Sequence, residues 1–345
     1  MPKYRGRDNL EGKENPTYVT GRRDGNLGES RWMSAQLFIG VTDKDWFEFL
    51  SHRPHLDEVN FWQPGGRQIF RALQPGQPFL FKLHSPNNFI VGGGFFTHAT
   101  ILPATMAWES FSEKNGAATW QEMHARIAKY RRVSPVLNED YSIGCILLNQ
   151  PFFLPQDRWI PVPENWSLNI VQGKTYAMNT GPGKVLWDRL SLFLGGREIS
   201  GDNQTNAVAD GTSERYGEPY LARARLGQGS FRVLVTDSYQ RRCAISGEKA
   251  LPALEAAHIR PYADGGEHRI DNGILLRADI HNLFDKGYVT ITPDHRFEAS
   301  RRLKTEFQNG REYFALHGQQ ILLPSQLEAR PSREYLSWHN EHCFR

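Results

Sequence analysis

The sequence predicts an α+β protein built from two compact units and a linker. Three observations carry this. The chain has 345 residues, about twice the usual domain size. Short apolar runs punctuated by turns recur between Leu37 and Leu148, the texture of a β-rich unit. A stretch from about Arg197 to Glu218, rich in Gly, Asp, Asn, Thr and Ser, then separates that unit from a second one of different pattern.

Taken in order, residues 1 to 32 hold many Arg, Gly, Asn and Glu and little that can be buried before Trp32, so they are expected to form a flexible arm. Residues 33 to 190 are expected to fold as the β-rich unit, with strands at LFIGV (37 to 41), FLFKL (79 to 83), FIVGGGFF (89 to 96) and IGCILL (143 to 148). Met106, Phe111, Trp120, Met123 and Ile127 recur at loosely helical spacing and predict one or two helices packed on the sheet. The triplet Gly92 to Gly94 lets a ligand approach the backbone or marks a bulge where the sheet bends. Residues 191 to 222 are expected to be the linker, and 223 to 345 the second unit. That unit opens with Phe231, Leu234 and Tyr239 at amphipathic spacing. Its tail, with Phe307, Tyr313, Phe314, Tyr335 and Trp338, is expected to pack as core and cover, leaving His317, His339 and His342 outside the chemistry.

Composition excludes more than it assigns. With 39% hydrophobic and 12% aromatic residues the chain has enough apolar surface to bury. No run approaches the roughly 18 to 20 apolar residues of a membrane span, and the start MPKYRGRDNLEGKEN lacks a signal-peptide core, so a cytoplasmic location without membrane contact is expected. Cys145, Cys243 and Cys343 are far apart with no CxxC pair, which argues against a disulfide framework and a zinc ribbon. The formal charge of +3 neither demands nor excludes a nucleic-acid partner.

The informative stretch is LEAAHIRPYADGGEHRIDNGILLRADIHNLFDKGYVTI, residues 254 to 291. It resembles the HNH, or ββα-metal, nucleases. In that family a strand ends in a His, a loop with an Asn leads to a second strand, and a helix delivers the last His or Asn. Here His258, Asn272 and His281 fall in that order. Phosphodiester hydrolysis needs an activated water on one side and a cation near the leaving oxygen on the other. The resemblance implies that His258 is the general base, that Asn272 braces the loop and that His281 ligates a metal. The ion would be Mg²⁺ or Mn²⁺, with Ni²⁺ and Co²⁺ as alternatives, and no organic cofactor is expected. Asp285 lies four residues after His281, so on a helix both project from one face and can share a cation. Many family members carry Asp or His immediately before the base, where this chain has Ala257. Glu255, two residues earlier, is the replacement candidate, and Asp279 a lesser one. Arg241, Arg242, Arg260 and Arg277, with Arg269, surround the motif and either hold phosphates or are solvated and paired.

Residues from about 35 to 185 resemble the PUA-like superfamily, which includes EVE and SRA domains, through LFIGVTDKDWFEFL, VNFWQP and FRALQPGQPFLFKLHSPNNFIVGGGFF. That implies a PUA-like barrel with flanking helices that reads a modified base held in an aromatic-walled pocket. Trp46, Phe61, Trp62 and Trp108 are the wall candidates, and the alternative for each is ordinary core. Such a reader joined to an HNH unit has the logic of a modification-dependent restriction enzyme. The expectation is cleavage of double-stranded, foreign or phage DNA carrying modified cytosine, with two chains cooperating as a homodimer. Open alternatives are a non-specific or structure-selective nuclease and a nucleic-acid-binding protein without catalysis.

Overall fold

The computed structural model describes residues 35–134, 139–167, 169–195 and 226–345. The arm expected over 1 to 32 and most of the linker expected over 191 to 222 lie outside the described residues.

The architecture is mixed α+β. The first part of the chain carries β1 (Gln36–Thr42), α1 (Lys44–Ser51), β2 (Glu58–Gln63), β3 (Pro78–Leu83) and β4 (Phe89–Pro103). It continues with α2 (Ala104–Phe111), α3 (Trp120–Arg131), β5 (Ser142–Phe153), β6 (Ile160–Pro161), β7 (Gly173–Ala177) and α4 (Gly181–Gly195). The strands form one sheet in the order β2-β5-β4-β3-β1-β7, with β6 beside β4. Its β1–β3 pair is parallel and its remaining pairs are antiparallel.

Period-two alternation explains why the apolar runs pack on two sides. Phe79 and Phe81 of β3 join an aromatic core with Trp46, Phe61 and Phe96, while Leu80 between them joins Leu37, Ile39, Ile90 and Phe152 on the other face. Ile146 and Leu148 of β5 likewise enter the aromatic core, and Ile143, Cys145 and Leu147 pack under α2 and α3. The pairing of β4 with β5 shifts register between Gly93 and Phe95 and again between Phe96 and His98. The glycine triplet is therefore at a bulge. A Cβ on Gly93 would stand 2.7 Å from the Phe79 carbonyl oxygen, so close strand approach requires its glycine. The expected closed barrel is not formed among the described residues. The sheet ends at β2 and β7, which do not pair. The β2 end is instead braced by the turn Ser112–Asn115, whose Asn115 accepts from Asn60 Nδ2 at 2.9 Å and from Trp62 Nε1 at 2.9 Å.

The C-terminal part begins with α5 (Gln228–Ser238) and continues with β8 (Leu254–His258), β9 (Gly273–Arg277) and α6 (Ala278–Asp285). It ends with β10 (Val289–Ile291), β11 (Phe297–Ala299), α7 (Arg302–Phe307), α8 (Arg311–Phe314) and α9 (Arg333–His342). β8 pairs antiparallel with β9, His258 facing Gly273. Phe231, Ile274, Leu276, Phe284, Phe297 and Leu336 share one core, so the tail supplies both core and cover.

Helix α5 serves two masters. Phe231, Leu234 and Val235 enter the C-terminal core, and Val233 enters the core under α2 and α3. The fully buried Glu58 accepts the backbone N–H groups of Gly229 at 2.9 Å and Ser230 at 2.8 Å, neutralising otherwise unpaired donors at the helix start. At the far end Asp237 pairs with His98 at 3.0 Å, and Arg241 donates to the Ile101 carbonyl oxygen at 2.7 Å. Consistent with this junction, Ala35–Arg345 is one compact unit. No helix among the described residues is long and apolar enough to cross a membrane.

Candidate active site

The β8–β9 pair and α6 form a ββα unit around a cleft of about 620 Å³ whose lining includes His258, Glu255, His281 and Asp285. Gly273 lets α5 approach β9: a Cβ there would stand 2.3 Å from Val235 Cγ2 and 3.0 Å from the Phe231 ring. That approach brings Phe231 face to face with His258, with ring centroids 4.0 Å apart and planes 10° apart.

His258 sits at the end of β8, half-buried, with Nε2 2.9 Å from His268 Nδ1. Burial first, then the charges of His268 and His281, pushes its pKa down to about 4. The imidazole is thus neutral at physiological pH and able to accept a proton. Asn272 is fully buried. Its Oδ1 accepts from Arg260 N at 2.9 Å, and its Nδ2 donates to the carbonyl oxygens of Arg260 at 3.0 Å and Glu267 at 2.9 Å. These are the bonds of a brace holding the loop that follows His258.

His281 projects from the first half of α6. Its Nδ1 lies 2.6 Å from Glu255 Oε2 and its Nε2 3.4 Å from Asp285 Oδ2, the latter across one helical turn. Burial, then the charge of Glu255, pushes the Asp285 carboxyl above its usual range, while His281 opposes this. One imidazole and two carboxylates are a suitable donor set for a divalent cation, and two carboxylates near one another favour its charge. Among the described residues, however, no three His, Cys, Asp or Glu converge on a common metal position: the carboxylates close on His281 from either side.

Ala257 is fully buried in the core, whereas Glu255 lines the cleft. Ala257, two residues further along β8, is not among the residues lining the cleft. Asp279 is turned to other partners, accepting from Arg277 Nε and Nη2 at 2.6 and 2.8 Å and from the Tyr313 hydroxyl at 2.9 Å. Its pairing with Arg277 holds the carboxyl at about 2. Cys243, fully buried, accepts through Sγ from the N–H groups of Ser246 at 3.4 Å and Arg277 at 3.3 Å, bracing the turn before β8.

The arginines separate. Arg241 is committed to Asp237 and to the carbonyl oxygen of Ile101, and Arg277 to Asp279. Both are structural ties rather than free phosphate donors. Arg260 donates to the Asp264 carbonyl oxygen at 2.7 Å and lies over the Trp338 ring, and Arg242 is exposed. Arg232 of α5, not singled out from sequence, lines the cleft and pairs with Glu109 at 3.1 Å.

The four aromatic candidates do not wall a common pocket. Trp46 and Phe61 are buried in the aromatic core, with ring centroids 5.5 Å apart. Trp62 and Trp108 pack against the separate core under α2 and α3. The area of Trp46 and Phe61 is spent on burial, the ordinary role of such rings in a β-rich unit, while Trp62 and Trp108 are half-buried.

Sequence reasoning missed His268, Phe231 and Tyr262 as site residues. Tyr262, 69% exposed, stacks on His268 with centroids 5.0 Å apart, and Phe231 passed for an ordinary apolar helix residue. The available signal was a His in GGEHRIDN, four residues before the Asn. His339, expected to lie outside the chemistry, also reaches the cleft lining, but it is buried and bonded to Thr290 Oγ1 at 2.8 Å and the Phe284 carbonyl oxygen at 3.1 Å.

Residues 243–292 match the HNH endonuclease family model. No curated protein matches the chain. Among solved structures, a point mutant of the ASCH protein of Zymomonas mobilis is similar at 10% identity and TM-score 0.27, over 45% of this chain and 97% of that one. The modification-dependent TagI restriction endonuclease is similar at 12% identity and TM-score 0.24, over 87% of this chain and 80% of that one. At such scores neither likeness bears on fold or function. The family match falls on the ββα unit that holds His258, Asn272 and His281, and this chain carries an HNH endonuclease domain.

Proposed function

We propose that the protein is a divalent-metal-dependent endonuclease that hydrolyses DNA phosphodiester bonds, and that it acts on double-stranded DNA carrying modified cytosine. One observation carries the nuclease reading: a neutral imidazole, His258, and a trio of His281, Glu255 and Asp285 line the same cleft. His258 takes a proton from the attacking water. His281, Asp285 and Glu255 would hold the cation, which when bound stabilises charge developing on the phosphate and leaving oxygen. Asn272 fixes the loop that follows the base. Arg242, Arg260 and Arg232 are the candidates for phosphate contact.

The modified-cytosine part rests on the sequence resemblance of residues 35 to 185 to PUA-like readers, with foreign or phage DNA as the natural target. A double-strand cut needs two such clefts, hence a homodimer or two chains on one target. The burial of Trp46 and Phe61 favours a second reading, a nuclease without base selectivity.

The test is digestion of matched duplexes with plain, methylated, hydroxymethylated or glucosylated cytosine in Mg²⁺ or Mn²⁺, comparing wild type with His258→Ala. Cutting of one modified duplex, lost in the variant, is the expected result. Equal cutting of all duplexes favours the second reading, and no cutting with either metal overturns the nuclease proposal.

A further inference from the structure

We propose that His268 is a positioning residue for His258: its Nδ1 accepts the Nε2–H of His258 and so fixes the tautomer whose Nδ1 lone pair is available to the cleft. This deepens the nuclease reading and rests on it.

The geometry leaves the two rings little choice. Their facing nitrogens are 2.9 Å apart, a hydrogen bond that uses a single proton. Phe231 stacks on His258 at 4.0 Å and Tyr262 stacks on His268 at 5.0 Å, with interplanar angles of 10° and 11°. The backbone of His268 is tied as well, its carbonyl oxygen accepting from Leu226 N at 3.0 Å. His258 lines the cleft, and its Nδ1 has no hydrogen-bond partner among the described residues.

The direction of the shared proton decides whether His258 can work. If His268 donates, His258 Nε2 is the acceptor, a neutral His258 carries its proton on Nδ1, and neither nitrogen can receive one from water. If His258 donates, Nδ1 is bare. Water then gives one proton to Nδ1 and becomes hydroxide, and His258 becomes an imidazolium that keeps its Nε2–H on His268. After attack and departure of the leaving oxygen, the added proton returns to solvent or to that oxygen.

The arrangement needs a neutral His268. Burial lowers its pKa, opposed by the charges of Glu58 and Asp57 and assisted by that of Lys114. His258 is faced by His268 and His281. Protonation of His268 would reverse the shared hydrogen bond and disable the base, so two imidazoles held low by burial suit the role.

The test uses the full chain with ¹⁵N-labelled histidine, in which two-bond ¹H–¹⁵N correlations read each tautomer at neutral pH. Wild-type His258 is expected in the Nε2–H form. His268→Phe preserves a ring against Tyr262 without an acceptor, and His268→Asn offers Oδ1 near the position of Nδ1. In single-turnover cleavage of a DNA duplex, His268→Phe should lower the rate at saturation by about 10- to 100-fold with little change in half-saturation, and His258 should lose its single tautomer. His268→Asn should restore most of both. His258 in the Nδ1–H form in wild type, an unchanged tautomer in His268→Phe, or an unchanged rate there overturns the proposal. If His268→Phe does not fold, the wild-type and His268→Asn spectra decide. If wild type cuts no DNA, the nuclease reading fails while the spectra still decide how the pair shares its proton.

Discussion

Replacing Asn272 tests whether the loop after the base is held by one amide. The side chain is fully buried and makes three hydrogen bonds to backbone across the turn, one from Arg260 N and two to the carbonyl oxygens of Arg260 and Glu267. Asn272→Ala removes all three and leaves the N–H and carbonyl oxygen of Arg260 without this partner, while the Glu267 carbonyl oxygen keeps Arg269 N at 2.8 Å. Each buried polar group left unpaired costs about 1–3 kcal/mol, and partial access of water to the half-exposed loop brings the sum for the two Arg260 groups to roughly 2–4 kcal/mol. Asn272→Asp should be worse at neutral pH, because a carboxylate would meet two carbonyl oxygens with no proton to offer and would bring a buried charge. Urea unfolding should therefore rank wild type above Ala and Ala above Asp. Acidification, which returns a donor to Asp, should narrow the gap between the two variants. A loss below 0.5 kcal/mol in Asn272→Ala, on the order of an ordinary surface change, would refute the brace.

The remaining predictions concern protons and the junction. Because the pKa of His258 is held at about 4, the proposed base stays deprotonated until the pH falls through that value. The acid limb of cleavage should lie well below the ordinary imidazole range, and a limb near 6.5 would contradict the burial argument. His339, also held at about 4 by burial, binds its proton more weakly folded than unfolded. Its contribution is complete above about 6.5 and is lost as pH falls toward 4, by roughly 3 kcal/mol. Comparing the pH dependence of unfolding in wild type and His339→Gln should reveal that difference, and parallel curves would remove His339 as its source. Glu58→Ala leaves two helix-start N–H groups without their acceptor, while Lys114 keeps Asp57 at 2.7 Å, so a destabilisation of roughly 2–4 kcal/mol is expected. Hydrogen exchange should quicken at Gly229 and Ser230, and unchanged protection there would count against the carboxylate as their cap.

The residues of the candidate site were legible because the motif is local. His258, Asn272, His281 and Asp285 lie within 28 consecutive residues, and strand–loop–helix geometry alone brings them together. The apolar strands were legible for a similar reason: FLFKL and IGCILL announce burial by composition. β2 was harder to read, since Glu58 and Asn60 give the face opposite Val59 and Phe61 a solvent-facing look while being fully buried. The order β2-β5-β4-β3-β1-β7 depends on contacts between distant segments that periodicity cannot express. The role of Phe231 depends on how α5 sits against β9, and that of His268 on a side-chain bond ten residues long in sequence. Trp46 and Phe61 show the converse difficulty: an aromatic ring looks the same in sequence whether it awaits a ligand or fills a core.

The double membership of α5 sets where this chain can be cut and recombined. A fragment beginning at 226 would carry a helix whose Val233 belongs to the other core and whose first N–H groups have lost their acceptor at Glu58. Its hydrophobic stripe would face water beside the ring that stacks on His258. A transplantable nuclease cassette from this protein therefore needs a redesigned α5 surface, with a new cap before Gly229 and a polar residue at 233. The seam between the N-terminal sheet and the HNH unit runs through a helix, and the helix belongs to both sides.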